Sequence, residues 1–287
     1  MIMSQYFEPA IKLENLTVTT REDWSRFLLL TDLFHIIGLH DVYQTSIFVC
    51  KNWLQSAESK PFWRSMCCAL QNRMRLDLPD YIPSFKALYL RYYRNLILNP
   101  DAARGLENWD VRSGGSQICV EEQAIGADSI PFSLKACWVA SYMWANVQQD
   151  VDLSDLDPLF LDSQPCLHLS FLFTSRNDQD VQIAIAIKFY DINLSTLSTS
   201  RSPIINYPAS GKWRKWSWVE RIPIGTRSLS FQWSGKDRQF WAGNYGPKLT
   251  HFDLRFRPCD SVIRSGIQDI DTVLVLPPLN NSKNLNK

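Results

Sequence analysis

The 287-residue chain has no apolar run near the roughly 18 residues that a membrane-spanning helix needs. It has no excess of either charge. Thirty Lys and Arg face 29 Asp and Glu, and a net charge of +1 points to neither nucleic acid nor an anionic membrane surface. No C-x-x-C pair occurs and the four His do not cluster, so no metal site is expected. The seven Cys are odd in number and lack the spacing of a disulfide framework, and Cys67 and Cys68 are adjacent. Reduced, mostly buried thiols in a cytoplasmic or nuclear protein are the expectation. The stretch "MIMSQYFEPAIKLEN" has no basic segment followed by an apolar run, so no signal peptide is expected. The N-x-[ST] matches at Asn15, Asn193 and Asn280 then read as chance. No H-E-x-x-H, G-x-S-x-G or P-loop pattern is present, and "SGGS" at 113–116 is too short for a dinucleotide fingerprint. No cofactor is expected.

Two hydrophobic periods divide the chain. From about Trp24 to Asn99 the period is helical. "DWSRFLLLTDLFHIIGL" carries Phe27, Leu30, Phe34 and Ile37 at helical spacing, with Gly38 as a stop signal. "DVYQTSIFVCKNWLQSA" follows, with Asp41 at an N-cap position. "KPFWRSMCCAL" puts Pro61 at a helix start and turns Phe62, Cys67 and Leu70 inward. "SFKALYLRYYRNLIL" predicts one more amphipathic helix, closed at Asn99-Pro100.

After about Gly105 the period falls to two. Leu167, Leu169, Phe171 and Phe173 alternate on one face, as do Ile183, Ile185, Ile187 and Phe189. Leu229, Phe231 and Trp233 repeat the pattern, then Phe252, Leu254 and Phe256. Many short alternating strands mark a sandwich or barrel. Helices and strands do not alternate, which argues against a parallel nucleotide-binding sheet. The expected fold class is multidomain α+β: an N-terminal three-helix module, a helical linker and a C-terminal antiparallel β-sandwich. The expected boundaries are an extension over 1–22, the module over 23–71, the linker over 72–104, the sandwich over 105–258 and a polar tail over 259–287.

"VCKNWLQSAESKPFWRSMC", Val49 to Cys67, resembles an F-box, with its V-C-x-x-W step and then a Pro and a Trp before the third helix. The usual Leu-Pro opening is replaced by "WSRFLLL". Residues Tyr89 to Pro258 resemble the F-box-associated domain of the sugar-recognising F-box proteins. "YRNLILNPDAARGLENWDVRSGGSQICVEE" is similar to that domain's opening, an N-L-x-x-N-P step followed by G-L-x-x-W and a Gly-Gly turn. "SYMWANVQQDVDL", "SRNDQD" and "SGKDRQFWAGNYGPKLTH" match later motifs of the domain in order.

The resemblance implies a substrate-recognition subunit of a Skp–cullin–F-box ubiquitin ligase, with a Skp-type adaptor and a cullin as partners. It implies an adaptor face including Phe34, Ile37, Val49, Cys50, Trp53, Phe62 and Trp63. It also implies a client site of Tyr142, Asp178, Phe240, Trp241 and Ala242, which in glycan-binding members holds the inner chitobiose of a high-mannose N-glycan. Such clients would be misfolded glycoproteins reached from the cytoplasm, as in endoplasmic-reticulum-associated degradation. A sugar's C–H face lies on an aromatic ring while its edges need hydrogen-bond partners. Trp241 is the stacking candidate, Asp178 an acceptor, and Tyr142 an apolar wall.

The glycan binders carry Tyr where this chain has Phe240 and Lys where it has Ala242. Each lost hydrogen bond costs on the order of 1 kcal/mol, and two cut affinity by about thirtyfold. An F-box receptor that reads a protein surface without sugar is therefore the alternative. Plainer readings stand beside each residue: Trp241 as a strand-end core residue, Phe240 as core, Asp178 as a turn residue. Tyr142 and Trp144 also fit one face of a single strand, and Trp216 and Trp218 fit core or cross-strand partners. A glycosidase would need two carboxylates about 5 to 10 Å apart. Asp178 is one candidate and Asp237 or Asp253 the other, and the chain is expected not to be an enzyme.

Overall fold

The computed structural model describes residues 60–74, 84–257 and 266–269. The chain divides into two units, residues 1–66 and 67–287. Of the proposed adaptor face, Phe34, Ile37, Val49, Cys50 and Trp53 lie outside the described residues, as do the first two predicted helices. Helix α1, Lys60–Met74, begins with Pro61 in its first turn, where the missing N–H leaves no helical bond unmade. Phe62 and Trp63 are both 3% exposed and meet edge to face at 5.2 Å. Among the described residues no helix is long and apolar enough to cross a membrane.

Helix α2, Phe85–Tyr93, is capped by Ser84, whose Oγ accepts from the Ala87 amide at 3.2 Å. The helical period predicts continuation to about Leu98, but the helix stops at Tyr93 and Arg94 is extended. The strands explain the difference. Strand β11, Lys248–Arg257, is paired on one side by β3 only at Lys248 and Leu249. The backbone groups beyond need partners, and residues 95–100 supply them. The Leu96 amide donates to the Leu254 carbonyl at 2.8 Å, and the Phe252 amide to the Pro100 carbonyl at 2.8 Å. The Asn95 side chain donates to the Phe252 carbonyl at 2.8 Å and accepts from the Leu254 amide at 2.9 Å. Strand pairing outcompetes the last turn of helix.

The N-L-x-x-N-P and G-L-x-x-W steps now have a physical reason. Asn99 is 4% exposed with φ +49. Its Nδ2 donates to the carbonyls of Gly105 and Glu107, each at 3.0 Å, and its Oδ1 accepts from the Arg104 amide. Trp109 Nε1 donates to the Asn99 carbonyl at 3.1 Å. Gln149, 5% exposed, clamps the same segment by accepting from the Leu98 amide and donating to the carbonyls of Leu98 and Asn108. Asn99→Ala removes three hydrogen bonds from a part-buried turn, although Trp138 Nε1 still donates to the Gly105 carbonyl, and gives up a residue suited to positive φ. It is expected to cost about 2–3 kcal/mol, read from urea denaturation of the full chain.

The rest is an antiparallel β-sandwich of two six-stranded sheets. One sheet runs β1 (Asp110–Ser113), β4 (Ala145–Asp152), β10 (Ser228–Asp237), β6 (Val181–Tyr190) and β7 (Thr196–Arg201), with β8 (Ile205–Tyr207) also on β6. The other runs β12 (Gly266–Asp269), β9 (Arg214–Arg221), β5 (Cys166–Thr174), β11, β3 (Cys137–Val139) and β2 (Cys119–Glu121). A short helix α3, Pro158–Asp162, lies between β4 and β5. Between the sheets sits an aromatic core. Phe252 has Trp109, Trp138, Phe171, Phe231 and Trp233 within 5.2–6.2 Å, centroid to centroid. Trp216 joins it against Phe171 at 5.3 Å and lies 6.0 Å from Trp218, as cross-strand and same-face positions require.

Strand β6 keeps the expected alternation, with Val181, Ile183, Ile185, Ile187 and Phe189 buried and the intervening residues half-buried. Strand β5 does not, for His168 and Leu172 are buried on its second face. Leu172 packs there with Ala124, Cys137, Val139 and Trp213, so residues from the β2–β3 connection cover the sheet's outer face. The thiol expectation holds in part. Cys67 and Cys137 are free and buried, and burial pushes their thiols up to about 11 and about 12. Cys166 is instead disulfide-bonded.

Candidate functional site

Strand register fixes two opposite poles. Ala145 pairs with Gly235, and Asp237 with Val181, at one end of the first sheet. Lys248 pairs with Thr174 and Val139, and Phe173 with Arg214, at one end of the second. Five connections cross between the sheets at this pole: 113–119, 139–145, 174–181, 207–214 and 237–248. The other pole holds α3 and the 190–196 and 221–228 turns. Helix α2 docks toward it, with Tyr92 edge to face on Phe160 of α3 at 5.1 Å and Arg94 paired with both oxygens of Asp155.

All five candidate client residues lie on crossing loops of the first pole. Trp241 is 83% exposed and Phe240 is 45% exposed, so the core reading of both is wrong. Ala242 and Asp178 are exposed and Tyr142 is half-buried. Tyr142 and Trp144 do not share a strand face. Strand β3 ends at Val139 and β4 begins at Ala145, and the residues between form a loop. The 114–115 turn packs closely against them. A Cβ on Gly115, at φ +70, would sit 2.6 Å from Ser141 Oγ and 3.0 Å from the Tyr142 ring.

The aromatic loop is built from its start. Asp237, 2% exposed, accepts through Oδ1 from the amides of Gln239 and Phe240 at 3.1 and 2.9 Å. This caps the turn as Asx turns do. Gly243, at φ +82, permits the reversal that lays Phe240 on Tyr245 at 4.8 Å. Beyond Tyr245 stands the Arg176 guanidinium, 4.9 Å from the ring centroid. Arg176 also donates to both carboxylate oxygens of Asp178, at 3.0 and 3.4 Å. That pairing holds Asp178 below the usual carboxylate range and raises Arg176. The row therefore reads Phe240, Tyr245, Arg176, Asp178. A neighbouring cation, Lys236, lies 5.4 Å from the Trp144 ring.

Sequence reasoning found the exposed ends of this row and missed what joins them. Arg176 had a signal, two positions before Asp178. Ser141, Ser116 and Asp237 had none, because their partners are more than 20 residues away or are backbone amides. The two carboxylates that a glycosidase would set against Asp178 are otherwise engaged. Asp237 caps the loop, and Asp253 is paired with Arg255 and Arg257 within β11. Among the described residues, no group of three or more His, Cys, Asp or Glu suits a metal ion.

Residues 88–253 match the family model of the F-box associated region. The chain belongs to this family. It is an F-box only protein that carries an F-box-associated region. F-box only protein 27 of Mus musculus is 31% identical over 174 residues, covering 58% of this chain and 61% of that protein's length. F-box only protein 44 of Homo sapiens is 25% identical over 80% of this chain and 94% of its own. F-box only protein 6 of Homo sapiens is 23% identical over 80% and 82%. Among solved structures, TmCBM61 in complex with beta-1,4-galactotriose aligns with a TM-score of 0.41 at 14% identity, over 57% of this chain and 99% of that one. The F-box-associated region thus spans all but the last strands of the sandwich, and the crossing loops of the first pole fall inside it.

Proposed function

We propose that this F-box only protein is the substrate-recognition subunit of a Skp–cullin–F-box ubiquitin ligase, and that the Trp241 pole holds the client. The observation that carries the reading is an aromatic side chain, 83% exposed, on a short loop fixed by its own hydrogen bonds. Phe240 beside it is 45% exposed, and adjoining exposed apolar side chains on a held loop are the kind of surface that marks a binding site. The ligand that fits is the inner chitobiose of a high-mannose N-glycan, stacked on Trp241 with Tyr142, Asp178, Phe240 and Ala242 around it. The clients would be misfolded glycoproteins met in the cytoplasm. The chain transfers no ubiquitin itself. It holds the client within reach of the catalytic partners and so raises its effective concentration. The adaptor would be met by Phe34, Ile37, Val49, Cys50, Trp53, Phe62 and Trp63. Phe62 and Trp63 would act chiefly by shaping that face, being 3% exposed.

A second reading has its own support. Asp178 is already engaged by Arg176, and Phe240 and Ala242 lack the hydroxyl and amine of the glycan binders. A client protein surface read through Phe240 and Trp241 needs none of those polar groups. Reconstitution separates the readings. The full chain should co-elute with a Skp-type adaptor and cullin, and the assembly should retain a denatured high-mannose glycoprotein. Loss of retention after enzymatic deglycosylation supports the sugar; unchanged retention favours the protein surface. Failure to co-elute with the adaptor would sink the receptor role itself.

A further inference from the structure

The strongest unassigned feature lies beneath the aromatic loop. Ser141 is fully buried between β3 and β4. Its Oγ accepts from the Ser116 amide at 2.8 Å and donates to the Gly243 carbonyl at 2.9 Å. The Gly243 amide donates to Ser116 Oγ at 3.1 Å, which closes a triangle between three loops. The Ser141 carbonyl accepts from the Asp237 amide at 3.0 Å, at the start of the aromatic loop. Next to it, Ala140 exchanges backbone bonds with Gly246 and Pro247 at the loop's end, at 2.9 and 3.1 Å. Ala140 and Ser141 therefore touch the loop at its start, its middle and its end. No large side chain fills the space. A Cβ on Gly246 would fall 2.7 Å from the Ala140 carbonyl, as one on Gly115 would meet Ser141 Oγ.

We propose that Ser141 is a positioning residue for client recognition: its hydroxyl fixes the middle of the 238–246 loop, and with it the Phe240–Trp241 platform. The proposal rests on the reading of this pole as the recognition end. A hydroxyl suits the place because it donates and accepts at once, satisfying one part-buried carbonyl and one amide. Alanine leaves both unpaired and frees the loop's middle, while the capping bonds of Asp237 remain. The ordered loop binds with less conformational loss than a mobile one.

The test uses the full chain and two readouts that need no ligand. In Ser141→Ala, amide exchange at Ser116 and Gly243 should quicken about tenfold, with β4 and β10 unchanged. Trp241 fluorescence anisotropy, isolated by difference from Trp241→Phe, should fall. Where wild type binds chitobiose, the variant's Kd should rise about tenfold. Ser116→Ala, at an exposed position, removes only the acceptor for the Gly243 amide and should quicken that amide alone. Unchanged exchange at Gly243 in Ser141→Ala, or loosening spread through the sandwich, would overturn the proposal. Should wild type bind no sugar while exchange and anisotropy respond as stated, the positioning role stands and only the sugar reading falls.

Discussion

Phe252→Ala should lower the unfolding free energy of the sandwich by about 3–5 kcal/mol, among the largest effects a single truncation gives. Phe252 is 1% exposed and touches rings from both sheets and from the opening segment. Its backbone is committed as well, since its amide and carbonyl hold Pro100 and Asn95. A β-bulge at Thr250–Asp253, with His251 at φ +57, re-aims the strand at this point. Neighbouring Trp and Phe rings are too stiff to collapse into the void, so the cavity term adds to the lost transfer energy. Urea denaturation followed by Trp emission measures it. A cost below about 1 kcal/mol would mean that the aromatic cluster is not the core.

Trp241→Ala should have the opposite profile. A side chain 83% exposed contributes little to folding, and stability should change by no more than about 0.5 kcal/mol. Client affinity should fall about thirtyfold or more, as for a stacking aromatic at the centre of a recognition surface. The two variants form a contrast, one large hydrophobic serving the fold and the other the ligand. Equal loss of stability in both would place Trp241 in the core after all.

Period-two alternation made β6 legible, because it buries one face against the other sheet, and it found the core face of β10 and β11, although Ser230, Ser234 and Arg255 are buried on their second faces as well. It misread β5, whose second face is covered by residues more than 30 positions away in sequence, and local pattern carries no trace of such cover. The end of α2 was misplaced for a similar reason. Residues 94–98 keep helical spacing, yet an unpaired edge of β11 offers their backbone better partners. At the pole of the crossing loops, sequence motifs picked out Tyr142, Asp178, Phe240 and Trp241. Whether Trp241 faced inward or outward depended on Asp237, Gly243 and Ser141, whose roles arise only once distant loops meet.

The most direct test of the central reading is a titration of the full chain with a high-mannose chitobiose glycan, followed by Trp fluorescence, with Trp241→Ala alongside. Saturable change in the wild type that vanishes in the variant is the predicted result, and it would make this pole a glycan-recognising client site. No change at millimolar sugar, or the same curve in both proteins, would contradict it.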